Sequence, residues 1–201
     1  MNPKKAFLLI DGEQPNQLPN LSKYDLVCAT DGAYSFFAEN NITPDFISGD
    51  FDALEKLPKN IEAIATPNQD YTDFEKALKI LKERDFTNIH VYGASGKEQD
   101  HFLGNLSTAI KWKSELNLTF FDNYGYYFLA DETTKIKECK GKTISLVPFP
   151  EALGIVTSGL QYSLKKESLT FGGRIGTRNV AIEDEVTITF ESGALFVFVN
   201  D

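Results

Sequence analysis

Cysteine is scarce in this sequence, two in 201 residues. That is too few for a disulfide framework, and it makes the cytoplasm the expected setting. Long apolar runs are missing as well. The longest, residues 6–10 and 194–199, fall far short of the ~20 residues that span a bilayer. The run behind Lys4 and Lys5 stops at Asp11, so no signal peptide is expected. Positive charge is in short supply: 20 Lys and Arg stand against 29 Asp and Glu, a formal net charge of −9. A protein that tracks a nucleic-acid backbone needs a basic face to displace counterions, and this balance argues against one. There is no HExxH, no paired-cysteine zinc spacing and no GxSxG.

What is present reads as an ordinary globular chain, 42% hydrophobic and 24% charged. Residues 1–123 alternate in period. Strands are expected at 5–10, 25–29, 46–48, 61–66, 88–92 and 118–121, and helices at 33–39, 72–84 and 101–113. The helix at 72–84 carries Phe74, Ala77, Leu78 and Leu81 at helical spacing, with Thr72 and Glu75 as a capping-box pair. Such alternation predicts a mostly parallel sheet covered on both faces, a three-layer α/β unit. Beyond residue 122 the helical period disappears. Strands are expected at 126–130, 143–147, 186–190 and 195–199, the last two joined as a hairpin through 191–194. The chain therefore divides into an α/β domain, 1–123, and a small all-β sandwich, 124–201.

Acid is concentrated in the first of these: 19 acidic against 12 basic residues, with eleven of the fourteen Asp. Asp31 follows the second strand. Asp50 and Asp52 follow the third, Asp70 and Asp73 the fourth, and Asp100 the Gly-Ala-Ser-Gly loop after the fifth. In a parallel sheet these connections share one edge, where ligands bind. Any single Asp there can be a helix N-cap. Caps do not account for Asp50 with Asp52, since two carboxylates ~5 Å apart repel by about 3 kcal/mol at an effective dielectric near 20. Adding Asp73 calls for a cation, and an all-oxygen set favours Mg²⁺ over zinc. The loop at 93–96 is either a simple turn or, with the helix behind it, a place for the phosphates of ATP. His90, flanked by apolar strand residues, reads as structural; His101, beside Asp100, can orient it or position a phosphate. Cys28 reads as a buried thiol and Trp112 as packing.

In order along the chain stand Asp31-Gly32, Pro44-Asp45-Phe46-Ile47-Ser48-Gly49-Asp50-Phe51-Asp52, Asp70-Tyr71-Thr72-Asp73 and Gly93-Ala94-Ser95-Gly96-Lys97-Glu98-Gln99-Asp100-His101. Gly159-Leu160-Gln161-Tyr162-Ser163-Leu164 and Gly176-Thr177-Arg178-Asn179 follow. Together they resemble the thiamin pyrophosphokinase (thiamine diphosphokinase) family over nearly the whole chain. The resemblance implies a Rossmann-like α/β domain and a β domain that binds thiamin and dimerises. It implies Mg²⁺-dependent transfer of a pyrophosphoryl group from ATP to the thiamin hydroxyl, giving thiamin diphosphate and AMP.

It further implies that Asp50, Asp52 and Asp73 hold Mg²⁺, and that Asp31, Asp70, Gly93, Ser95, Gly96, Lys97 and His101 line the nucleotide site. Asp100 would act on the hydroxyl, while Tyr162, Thr177 and Asn179 would contact thiamin, Tyr162 by stacking on its cationic ring. A homodimer with the site at the subunit interface is implied too. Two positions depart from the family pattern: Glu98 stands where an Arg is usual, and Arg178 where a Ser is. They keep open an alternative acceptor such as a hydroxymethylpterin. A non-catalytic ligand-binding dimer is the reading that leaves the Asp cluster unexplained.

Overall fold

The computed structural model describes residues 4–52 and 59–201. The chain separates into two compact units, Met1–Asn123 and Tyr124–Asp201.

In the first unit, the strands are β1 (Lys5–Leu9), β2 (Leu26–Thr30), β3 (Phe46–Gly49), β4 (Glu62–Ala65), β5 (Asn88–Tyr92) and β6 (Asn117–Phe121). The helices are α1 (Tyr34–Glu39), α2 (Asp73–Glu83) and α3 (Gln99–Trp112). The strands pair in parallel, in the order β4-β3-β2-β1-β5-β6. Ala6, Phe7, Leu8 and Leu9 of β1 are all 0% exposed, as a strand covered on both faces must be. Phe7, Leu9, Ala29, Ile47 and Tyr92 share a core with Phe37 of α1, and the ring of Phe74 on α2 meets Phe120 of β6 edge-on. Because β1 has β2 on one side and β5 on the other, the strand order reverses between β1 and β5, and the C-terminal edge at such a point is where open α/β sheets bind ligands.

Two local expectations need correction. Thr72 caps α2, its hydroxyl accepting from the Glu75 N–H at 3.2 Å, but the reciprocal half of the capping box is not the one Glu75 makes. Its carboxylate meets Lys111 and the Trp112 indole N–H instead, so the long side chain serves packing between two helices. Helix α3 starts at Gln99, not at 101, which places Asp100 in its first turn.

The second unit has no helix among its described residues. Its strands are β7 (Gly125–Leu129), β8 (Thr133–Lys137), β9 (Thr143–Ser158), β10 (Lys165–Thr170), β11 (Gly176–Val180), β12 (Glu185–Thr189) and β13 (Ser192–Asn200). The expected hairpin at 191–194 is not there. Strands β12 and β13 do not turn back on each other but run on in one direction beside β9, Thr189 opposite Val156 and Ser192 opposite Leu153. Gly193 belongs to a bulge: its φ is +99°, and a Cβ would lie 2.1 Å from the Glu151 carbonyl oxygen. Strands β7 and β8 follow β13 and β12 in the same way, and β10 and β11 follow the other side of β9. The unit is thus four long antiparallel lines, ordered 125–137, 185–200, 143–158, 165–180. Residues from both halves of β9, such as Ile144, Leu146 and Ile155, join Ile136, Ile188 and Val197 in one core. The sheet wraps around that core.

Candidate active site

The connections after β1, β2, β4 and β5 line a cleft of about 620 Å³ at the C-terminal ends of the parallel strands. Its walls carry six carboxylates (Asp11, Asp31, Asp70, Asp73, Glu98 and Asp100) against two lysines, Lys76 and Lys97. The excess is acidic, so an anion entering alone meets repulsion.

Of the residues expected here, Asp31, Asp70, Asp73, Gly93, Ser95, Lys97, Asp100 and His101 line the cleft, whereas Gly96, Asp50 and Asp52 do not. Gly96, with φ +89°, is turned against Glu13, whose Oε2 lies 2.6 Å from where a Cβ would sit. Asp50 connects to the cleft through Gln69, a lining residue whose Nε2 donates to its carboxylate at 3.1 Å. The Asp50 carboxyl is held below the usual carboxylate range, first by the Asp52 backbone N–H at 3.2 Å and then by Gln69.

Among the described residues no three His, Cys, Asp or Glu side chains gather closely enough to hold a metal ion. The expected convergence of Asp50, Asp52 and Asp73 is therefore not formed by the chain alone. The Lys76 ammonium lies 2.6 Å from Asp73 and also donates to the Thr66 and Asn68 carbonyl oxygens at 2.8 and 3.2 Å. A lysine one helical turn away thus supplies the positive charge that the argument from repulsion assigned to a metal. The donor chemistry still fits Mg²⁺. Asp50 and Asp52 are exposed oxygen donors, and Mg²⁺ takes one or two carboxylates with waters and substrate phosphates, not an all-protein cage.

The loop after β5 is fitted against the segment after β1. A Cβ on Gly12 would lie 2.1 Å from the Gly93 carbonyl oxygen, and the Glu13 N–H donates to Ser95 O at 2.7 Å. Lys97 Nζ is 2.7 Å from Asp11 Oδ1, an exposed pair at the cleft wall. Asn105 of α3 donates to Ala94 O at 2.9 Å from a buried position. Asp100 accepts from the His101 N–H at 2.9 Å, but the His101 ring lies toward Glu98, 3.6 Å away, so it does not orient the Asp100 carboxylate. Asp11, Lys76 and Asn105 were missed in the sequence. Asp11-Gly12 after β1 repeats the strand-then-Asp-Gly signal of Asp31-Gly32, and could have been found by it.

His90 points away from this chemistry. Its Nδ1 lies 3.0 Å from the Tyr24 hydroxyl, and burial, aided by Lys5, depresses its pKa to about 4. Cys28 is fully buried, and burial pushes its thiol well above its ordinary value. Trp112 packs as expected, its ring under Lys82.

In the second unit Tyr162 and Asn179 are joined, though not through free side chains, and Thr177 precedes Asn179 by two residues on β11. Asn179 Oδ1 accepts from the Tyr162 and Val180 N–H groups at 3.1 and 2.9 Å, while its Nδ2 donates to Tyr162 O at 2.7 Å. The Tyr162 ring is left 69% exposed. Arg178 lies in the bulge of β11 with φ +57°, its N–H on Ser145 Oγ at 2.9 Å and its side chain in solvent.

Comparison with known proteins adds to this geometry. The family described as "Thiamin pyrophosphokinase, catalytic domain" matches residues 19–120, and "Thiamin pyrophosphokinase, vitamin B1 binding domain" matches residues 133–195. The Caenorhabditis elegans thiamin pyrophosphokinase 1 is 29% identical over 194 residues, covering 88% of this chain and 79% of that one. The Bacillus subtilis thiamine pyrophosphokinase is 27% identical over 208 residues, covering 96% and 97%. Its crystal structure superposes with a TM-score of 0.83 at 24% identity, over 97% of this chain and 98% of that one. A thiamin pyrophosphokinase family protein from Enterococcus faecalis gives a TM-score of 0.87 at 19% identity, over 98% and 99%. At these identities the superpositions speak for the fold.

Proposed function

The chain belongs to the thiamin pyrophosphokinase family, and on that premise we propose that it transfers a pyrophosphoryl group from ATP to the hydroxyl of thiamin. The observation that carries the reading is the cleft itself: carboxylates from four strand ends face one crevice beside a glycine-rich loop that opens a helix. An acidic cleft suits a polyphosphate only if the polyphosphate arrives with a divalent cation. Asp50, Asp52 and Asp73 supply oxygen donors for Mg²⁺. When bound, the ion neutralises phosphate charge and fixes the transferring group.

The chain's own residues then have separate tasks. Asp70 and the 93–97 loop with His101 meet the nucleotide, while Asp31 stands at the wall of the cleft with both carboxylate oxygens already on backbone N–H groups. Lys97 presents a point charge to phosphate in place of the family's bidentate arginine. Asp100, exposed at the first turn of α3, accepts the proton of the thiamin hydroxyl. The hydroxyl oxygen forms a bond to the β-phosphorus in line with the breaking bond to the bridging oxygen, which leaves with AMP. The Tyr162 ring stacks on the cationic ring of thiamin, with Thr177 at its side and Asn179 holding it in place. In keeping with the family, the α/β unit is Rossmann-like and catalytic, and the β unit is a sandwich that binds thiamin and dimerises. The working state is a homodimer in the cytoplasm, each site using residues of both copies. No helix among the described residues is long and apolar enough to cross a membrane.

The test is a product assay. Protein, ATP, Mg²⁺ and thiamin are expected to yield AMP and thiamin diphosphate in equal amounts. Formation of ADP with thiamin monophosphate would overturn the reading, as would turnover of a hydroxymethylpterin in preference to thiamin.

A further inference from the structure

Asp31 lines the cleft, yet it is only 7% exposed and both of its carboxylate oxygens already hold backbone N–H groups. Oδ1 accepts from Gly32 at 2.8 Å, and Oδ2 accepts from Phe51, twenty residues further on, also at 2.8 Å. The second bond reaches the tetrapeptide Gly49-Asp50-Phe51-Asp52 that leaves β3. Two features of that tetrapeptide point back to the same carboxylate. A Cβ on Gly49 would lie 2.1 Å from Asp31 Cγ, so only glycine lets the carboxylate come so close. Phe51 sits at φ +64°, a conformation that a bulky L-residue rarely adopts and that must be held by its surroundings.

We infer that Asp31 is a positioning residue: its carboxylate clamps the 49–52 turn, and thereby sets where Asp50 and Asp52 present their oxygens. This rests on the reading that Asp50 and Asp52 serve a divalent cation. A carboxylate is needed because both partners are donors, and an amide would offer one of them an NH₂ group instead of an acceptor. Asp31 so placed does for Asp50 and Asp52 what an outer partner does for a metal ligand, namely orient it.

The experiment compares the wild-type chain with Asp31→Asn, using Mn²⁺ as the probe and α,β-methylene-ATP as an unreactive nucleotide. Mn²⁺ affinity in the presence of the analogue is read by electron paramagnetic resonance, and affinity for adenosine, which carries no phosphate for the acidic cleft to repel, by calorimetry. Asp31→Asn is expected to weaken Mn²⁺ binding by about 10-fold or more, with adenosine binding changed by less than about twofold. Unchanged Mn²⁺ affinity would overturn the clamp. So would an equal loss of adenosine binding, because Asp31 would then act on the nucleotide directly.

Should Asp31→Asn fail to fold, Gly49→Ala, which crowds the carboxylate out, is expected to produce the same Mn²⁺ defect. Amide exchange in the wild type gives a third arm. The Phe51 N–H is expected to exchange slowly although it lies outside any strand, and fast exchange would overturn the clamp. The proposed function fails separately: a wild-type chain that binds Mn²⁺ with the analogue but makes no thiamin diphosphate loses that reading and keeps the clamp. A wild-type chain that binds no Mn²⁺ with the analogue overturns both.

Discussion

Asn179 pairs with Tyr162 as one peptide group pairs with another, its amide accepting the Tyr162 N–H at 3.1 Å and donating to the Tyr162 carbonyl at 2.7 Å. The side chain with the chemistry of a ligand is occupied in holding a backbone. The ring it steadies is the part left facing solvent. Removing three hydrogen bonds of about 1 kcal/mol each, two to Tyr162 and one to the Val180 N–H, should loosen Tyr162 without unfolding the sheet. Asn179→Ala is expected to raise the KM for thiamin about tenfold while the KM for ATP stays within about twofold, measured by steady-state kinetics. Equal changes in both constants would contradict the assignment.

Lys76 pairs with Asp73 within α2 and donates to two carbonyl oxygens of the segment after β4, tying the helix's first turn to it. Lys76→Met keeps the apolar stem and removes the ammonium, leaving two carbonyl oxygens without that donor. The expected cost is about 1–3 kcal/mol, read as a lower thermal midpoint, together with a loss of kcat/KM for ATP. An unchanged midpoint would show that the lysine does not hold this loop.

Asp52→Asn and Asp73→Asn keep side-chain volume and remove charge. Each should retain the fold by circular dichroism and lose most turnover, by about 100-fold or more if charge neutralisation of the polyphosphate is the main catalytic effect. EDTA should abolish wild-type activity and Mg²⁺ restore it. Near-normal turnover in both variants would remove them from the metal site.

His90 provides a pH test of stability. Its folded-state pKa, about 4, lies below the unfolded value of 6.5 because burial disfavours the imidazolium. Between those values the unfolded chain binds a proton that the folded chain does not, so stability is full above pH 6.5 and is lost as pH falls toward 4. In His90→Gln the slope of stability against pH in this window should diminish by up to about one proton, measured by urea denaturation across the range. A slope identical to the wild type would mean that His90 does not titrate differently on folding.

Much of the first unit was legible because its signals are local. Thr72 and the apolar positions of α2 place a helix whatever surrounds it, and the strand at Asn88–Tyr92 lies where its apolar run predicts. Parallel order then follows from the alternation, and with it the edge on which the aspartates meet. The second unit was less legible. Strand β8 reads Thr-Thr-Lys-Ile-Lys, β10 carries mostly exposed residues and β11 reads Gly-Thr-Arg-Asn-Val, so no apolar run marks them. They are strands because β12 and β9 offer unpaired edges. Strand β9 runs past its expected end at residue 147 to Ser158, through Pro148 and Pro150, and Pro148 sits opposite Leu195.

The sequence by itself determined which chemistry is present: a surplus of short carboxylates, placed by a repeating strand–loop–helix order at one edge of a parallel sheet. Side-chain type and chain order settle that much, because backbone geometry sends every parallel strand's C-terminus to the same side. Only the tertiary structure decided the tasks. Asp73 is partnered by Lys76, Lys97 by Asp11, Asp31 by the Phe51 backbone and Asn179 by that of Tyr162. Apart from Asp73 with Lys76, one helical turn away, those pairings join residues remote in sequence, and no local pattern encodes them.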